Sequence, residues 1–233
     1  MRTLRLLLAG LALSLGLTSA ALAAEPLPPL AVGDLVFIRV PFKPFREVAE
    51  ATGSWTNHVG VVVSTEGGQA LVAESTLPLS RVTPIDRFVD RSEGGRVAVR
   101  RLAEPLSPQQ AGRVAEAARL RLGVRYDTGF DLHSRGQFCS RFVHEVLLEA
   151  TGRRVGQVQT FAQLLNERPE AGLGFWRLWY FGRIPWQRET VTPASVLASP
   201  SLHTVFDGTV PRPQGAAAGA KVVQSDDTTG SPG

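Results

Sequence analysis

The chain has 233 residues, 43% of them hydrophobic and 20% charged. That length and balance suit one packed domain and exclude a disordered tail or a low-complexity fibre. A single cysteine excludes an intramolecular disulfide and a cysteine-based zinc site, and a net charge of +4 gives no polybasic patch that would point to nucleic acid.

Residues 1–23 read as a secretory signal peptide. Arg2 and Arg5 precede an apolar run from Leu6 to Leu17, and Ala21-Leu22-Ala23 fits a small-x-small cleavage site. The run is shorter than the ~20 residues a membrane span needs. No later segment is long and apolar enough to span, and no cysteine near the cleavage site could take a lipid. The expectation is an exported protein, periplasmic or extracellular, with no integral membrane span once the leader is removed. The folded domain is expected over 24–207. Residues 208–233, rich in Pro, Gly, Ala, Ser and Thr, read as a disordered tail.

Within the domain, a Gly33-Asp34 turn leads into a strand-like run from Leu35 to Val40. Residues 41–57, with Pro41, Pro44 and Gly53, read as an irregular loop. His58 opens a second strand through Val63. A turn at 66–69 returns the chain into a third strand, Ala70 to Ser75, paired back on the second. Residues 84–89 suggest one or two helical turns, and Arg96 to Arg101 alternates as a strand. Ser107-Pro108-Gln109-Gln110 is a helix start with Ser as cap, and Gly123 ends the apolar face that follows. A second helix is expected from Cys139 to Ala150, closed by Gly152. A short one is expected over 160–168, then an aromatic strand or turn from Phe175 to Phe181. Strands first and helices later give an α+β class with a mostly antiparallel sheet packed against the Cys139 helix.

Cys139 sits at the start of its helix, where free amide N–H groups and the positive dipole end favour a thiolate, with Arg141 adding charge nearby. An unpaired thiol in an exported protein invites oxidation, so a retained one suggests a use. A thiol nucleophile needs a base and the base an orienter. His144 lies about 140° around the helix from Cys139, badly placed to share a site. His133, in a loop, and His58, at a strand start, remain. Glu74 is a charge inside an apolar strand next to that of His58, and could hold an imidazole. Trp176, Trp179, Tyr180 and Phe181 read as core, and Arg153-Arg154 as a solvated helix end. No phosphate loop, zinc helix or Gly-x-Ser-x-Gly elbow is present.

The order Gly33-Asp34-Leu35-Val36-Phe37, Asn57-His58-Val59-Gly60-Val61-Val62, Val72-Ala73-Glu74-Ser75, Gly123-Val124-Arg125-Tyr126-Asp127, Phe138-Cys139-Ser140 resembles a known group. It is similar to the YiiX-like family of the circularly permuted branch of the NlpC-type papain-like superfamily, in which the histidine strand precedes the cysteine helix. The resemblance implies Cys139 as nucleophile, His58 as base, Glu74 as the polar third member and Tyr126 beside the oxyanion site. Backbone N–H groups at the Cys139 helix start complete that site. It implies no metal and no organic cofactor. Arg141 departs from the acidic residue expected after Cys-Ser, which would alter the charge at the rim.

The reading is a secreted cysteine amidohydrolase that cleaves a peptide or acyl-amide bond through an acyl-thioester, on cell-envelope substrates. The permuted branch also resembles lecithin:retinol acyltransferase-like enzymes, which makes an acyltransferase or lipid deacylase with a lipid-like substrate the sister reading. The apolar stretch Val40 to Phe45 could flank such a chain. A non-catalytic envelope-binding domain is the alternative from another class.

Overall fold

The computed structural model describes residues 25–211. The expected signal peptide, and the expected tail from residue 212 onward, lie outside the described residues. Six strands form one antiparallel sheet. They are β1 (Leu35–Ile38), β2 (His58–Ser64), β3 (Leu71–Glu74), β4 (Arg81–Pro84), β5 (Arg96–Leu102) and β8 (Leu202–Thr209), in the order β4-β3-β2-β1-β5-β8. A separate ribbon pairs β6 (Val158–Thr160) with β7 (Glu189–Val191).

The central strands are apolar on both faces because both faces are covered. On one face Leu35, Phe37, Val59 and Val61 meet two helices, α3 (Pro108–Arg119) and α4 (Cys139–Thr151), the latter through Phe142, Val143, Val146 and Leu147. On the other, Val36, Ile38, Val62 and Val72 meet Phe88 of the short helix α2 (Ile85–Asp90) and the lead-in residues Leu27 and Leu30. Each fully buried side chain of this size contributes roughly 1.5–3 kcal/mol.

Local chemistry sets the helix ends. Ser107 and Gln110 form a capping box at the start of α3, as the sequence predicts, and Gly152 ends α4 in the left-handed region at φ 74°. Two expectations change. Residues 41–57 contain a helix, α1 (Lys43–Ala51), in which Pro44 occupies the first turn, where its missing N–H removes no helical bond. Phe45 and Ala49 lie on its buried face. Of the 175–181 segment, expected as strand or turn, residues 175–179 lie in a helix, α6 (Gly174–Trp179), and only 180–181 are in a turn. Thr160 and Gln163 cap α5 (Phe161–Glu167), and α7 (Pro193–Leu197) follows β7. The last strand runs to Thr209, with Val210 buried behind it, so ordered chain extends past the expected boundary at 207. No helix among the described residues is long and apolar enough to cross a membrane.

Candidate active site

Three segments meet at one end of the sheet. His58 opens β2, and its entry is fixed from behind. The Asn57 side chain accepts from Val40 N–H at 2.8 Å and donates to Val40 O at 3.0 Å, while the Thr56 hydroxyl donates to Ile38 O at 2.7 Å. The β2–β3 register sets Val61 opposite Ala73. One residue further, Glu74 stands across from Gly60, a diagonal neighbour of His58 and within side-chain reach.

His58 and Glu74 are both completely buried, with Nε2 of the ring 2.6 Å from Oε2 of the carboxylate. The ring lies between two aromatic faces, Phe45 at 6.0 Å and Phe88 at 5.6 Å between centroids. Gly60 permits this packing. A Cβ there would stand 2.4 Å from Val72 Cγ1 and 3.0 Å from Phe88 Cε2. The Glu74 carboxylate is itself held: Arg91 donates to both oxygens at 2.8 Å, and the Thr83 hydroxyl donates to Oε1 at 2.7 Å. Arg81 stands 3.6 Å away.

Cys139 is the first residue of α4. Phe138 precedes it in an extended conformation and caps nothing with its side chain, so the first-turn N–H groups carry no side-chain cap. The turn before the helix is tied to the sheet. Ser75 donates to Gln137 O at 2.9 Å, and Gln137 is bridged to Tyr126. Ser140 donates to Val191 O at 2.7 Å from the other side. These ties deliver the thiol to the ring edge of His58. The sulfur lies 3.9 Å from Asn57 O. Nδ1 of His58 has no conventional hydrogen-bond partner, and Cys139 is its polar neighbour.

The electrostatics follow from these contacts. Burial pushes the His58 pKa down, but hydrogen bonds and charge from Cys139 and Glu74 outweigh it and raise it to about 9. Burial pushes Glu74 up, and His58 and Arg91 draw it down to about 2. Burial also opposes ionisation of Cys139. His58, the N–H of Val59 and the Tyr126 hydroxyl reverse that and hold the thiol below its ordinary range. Tyr126 is pushed well above the usual phenol value, first by burial and then by the adjacent sulfur, so it stays a donor. Its oxygen is also within reach of the Cys139 backbone N–H. The arrangement can therefore hold a thiolate beside an imidazolium, with an O–H and an N–H next to the sulfur.

Cys139 lines an open cleft. One wall is α1, through Phe45, Val48 and Ala51. The other comes from Leu164 and Leu165 of α5 and Trp176 of α6, with Tyr126, Phe130 and Phe138 closing the end. The lining is almost entirely apolar.

The structure thus brings together Cys139, His58, Glu74 and Tyr126, the four residues singled out from the sequence. It leaves the other histidines out. His133 is exposed and pairs with Glu189 at 2.7 Å, while buried His144 binds Val155 O at 2.7 Å. Arg141 does not reach the rim. Its guanidinium bonds Glu145 and the carbonyls of Asp131, Ser134 and Gly136, organising the loop ahead of Cys139. Trp176 and Tyr180 line the cleft, and Phe181 is 93% exposed, so the aromatic run is not core. Arg91 and Thr83, the partners of Glu74, were not singled out from the sequence. They belong to elements whose pairing with β3 has no local signature.

A hairpin carrying His58 and Glu74 that precedes the helix carrying Cys139 defines a papain-like fold in permuted chain order. The chain belongs to the permuted papain-like amidase family of YaeF and YiiX, C92, whose family model matches residues 29–206. It is similar to the uncharacterised protein YiiX of Escherichia coli strain K12, with 29% identity over 173 residues, covering 74% of this chain and 84% of the relative. Among solved structures it is similar to the crystal structure of metalloprotein YiiX from Escherichia coli O157:H7. There the TM-score is 0.70 and the identity 28%, with 77% of this chain and 98% of the other covered.

Proposed function

We propose that this chain is an exported thiol amidohydrolase that removes an apolar acyl group from an amine on cell-envelope substrates. The observation that carries the reading is the buried His58–Glu74 pair beside Cys139, which lines an apolar cleft. The Cys139 thiolate attacks the amide carbon and forms a C–S bond. Negative charge moves to the carbonyl oxygen, where the Tyr126 O–H and the Cys139 N–H can receive it. The His58 imidazolium gives its proton to the amine nitrogen as the C–N bond breaks, leaving an acyl-thioester. Water then adds to the thioester, His58 takes its proton, and the C–S bond breaks to release the acid. Glu74 holds the ring orientation and stabilises its charged form.

The apolar cleft also favours a second reading, in which an amine or alcohol other than water takes the acyl group from the same thioester. The polarised thiol supports turnover over a role in binding alone. The similar YiiX structure is described as that of a metalloprotein. The donors here do not fit a metal ion. Both Glu74 oxygens are engaged by Arg91 and one each by Thr83 and His58, and a guanidinium beside the carboxylate opposes a cation. No group of three or more His, Cys, Asp or Glu among the described residues is placed to hold one.

The test is intact-protein mass spectrometry after rapid mixing with N-acyl p-nitroanilides and acyl esters. An acyl adduct on Cys139, absent in Cys139→Ala, is the expected result. Wild-type protein that neither acylates nor turns over any amide or ester overturns the reading.

A further inference from the structure

We infer that the segment from α6 to Trp186 is a docking platform for the surface of an anionic phospholipid bilayer. Leu178 is 79% exposed and Phe181 93%, on adjacent turns, and Trp186 further along the segment is 37% exposed. Apolar side chains this large are rarely left in water together unless something covers them. Phe181 sits at φ 51° and Gly182 at φ 80°. A bulky residue in the left-handed region is uncommon, and here it carries the ring outward.

The segment is fastened from beneath. Trp179 Nε1 donates to Thr128 O at 3.0 Å, and Tyr180 and Arg188 donate to Gly129 O at 3.1 and 2.8 Å. The polar ring atoms of Trp179 and Tyr180 are thereby satisfied on the protein side. That is the division of labour of aromatic residues at a membrane interface.

Charge selects the partner. From Ala171 to Arg188 there is no acidic residue, while Arg177 and Arg183 are exposed on either side of Leu178 and Phe181. Glu170, just outside, is paired with Arg168 at 2.6 Å. A second copy on a two-fold axis would set these arginines against their own equivalents. Anionic headgroups complement them instead, each arginine strengthening partition roughly fivefold. The same segment borders the cleft, which Trp176, Tyr180, Ile184 and Trp186 also line. The surface stands without the thiol chemistry. The acyl reading adds only a reason for the cleft to border a lipid phase.

The test is co-sedimentation of the purified protein, in the form the cell produces, with vesicles of phosphatidylglycerol and phosphatidylcholine mixed equally. Pure phosphatidylcholine vesicles run alongside, with tryptophan emission as a second readout. Wild type is expected to partition at least tenfold more strongly to the anionic vesicles, with a blue shift. Leu178→Asp combined with Phe181→Asp is expected to lose that binding. Arg177→Gln combined with Arg183→Gln, which spares the apolar residues, should weaken it about 25-fold. Cys139→Ala should bind like wild type, so loss of turnover and loss of docking are read separately. Wild type that stays in the supernatant, or a doubly acidic variant that binds as wild type does, overturns the inference. So does a concentration-dependent dimer that the acidic variant abolishes in the absence of vesicle binding.

Discussion

Replacing Glu74 with Gln tests the charge coupling between Glu74 and His58 in the buried cluster most directly. The rise of His58 from 6.5 to about 9 corresponds to about 3 kcal/mol in favour of imidazolium over imidazole. Cys139 and Glu74 share that preference, Cys139 first. Glu74→Gln keeps the shape and removes the Glu74 share. It also leaves the Arg91 guanidinium, 2.8 Å from both former carboxylate oxygens, without its counter-charge. The imidazolium then loses about 1–2 kcal/mol. Below about pH 8 the ring stays charged in both proteins, so the difference lies at the upper end of the profile. The assay is a brief iodoacetamide pulse from about pH 4 to about 10, read by intact mass. The upper inflection, where the imidazolium beside the thiolate gives up its proton, should move down by about one pH unit. His58→Ala should instead move the onset of alkylation up, toward the ~8.5 of a free thiol. If the Glu74→Gln profile overlays that of wild type, the carboxylate does not support the charged ring and the reasoning fails.

Cys139→Ala is expected to abolish turnover while its melting temperature stays within a few degrees of wild type, since a small buried atom is all that is lost; full activity would remove the nucleophile assignment. Tyr126→Phe should lower kcat about 100-fold with little change in KM or melting temperature, as loss of one oxyanion donor does. Gly60→Ala places a Cβ 2.4 Å from Val72 Cγ1, and the overpacking should destabilise by about 1–3 kcal/mol, read by urea denaturation. Stability should also depend on pH on both sides of neutrality. Glu74, lowered to about 2 in the fold, contributes above its unfolded value of 4.5 and loses that contribution as pH falls through 2. His58, raised to about 9, contributes below 6.5 and loses it as pH rises through 9. Cys139, held below its ordinary range, contributes in the opposite sense to His58 across neutrality and offsets it there. Calorimetry should find the melting temperature falling below about pH 4.5 and again toward pH 9 and above, and Glu74→Gln should flatten the acid side.

The parts of this molecule that could be read in advance have short-range causes. The β2–β3 hairpin shows in its apolar runs and the Gly67-Gly68 turn, and α3 in the Ser107–Gln110 box. Glu74 drew attention because a carboxylate in an apolar strand needs a partner. Helix α1 was hidden by Pro41, Pro44 and Gly53, which look like loop residues until Pro44 is seen to sit in the first turn. Helix α6 was hidden by its aromatic content, which suits strand and helix alike and says nothing of exposure. The strand from Leu202 to Thr209 is an edge with mixed polarity, so its end merged with the tail that follows. The Arg91 and Thr83 contacts depend on how α2 and β4 return to β3, a long-range fact that no local pattern carries.

The stacked rings around His58 also bear on how a proton travels. Phe45 and Phe88 close both faces of the imidazole, and Glu74 occupies Nε2. The ring has no exposure to solvent of its own. Its remaining nitrogen, Nδ1, is on the side of Cys139, which lines the cleft. Under the proposed reaction an occupant of the cleft would stand between that nitrogen and bulk water, and the departing amine would be the nearest outlet for the proton on the ring. The timing of proton delivery would then follow the filling and emptying of the cleft more closely than the pH outside.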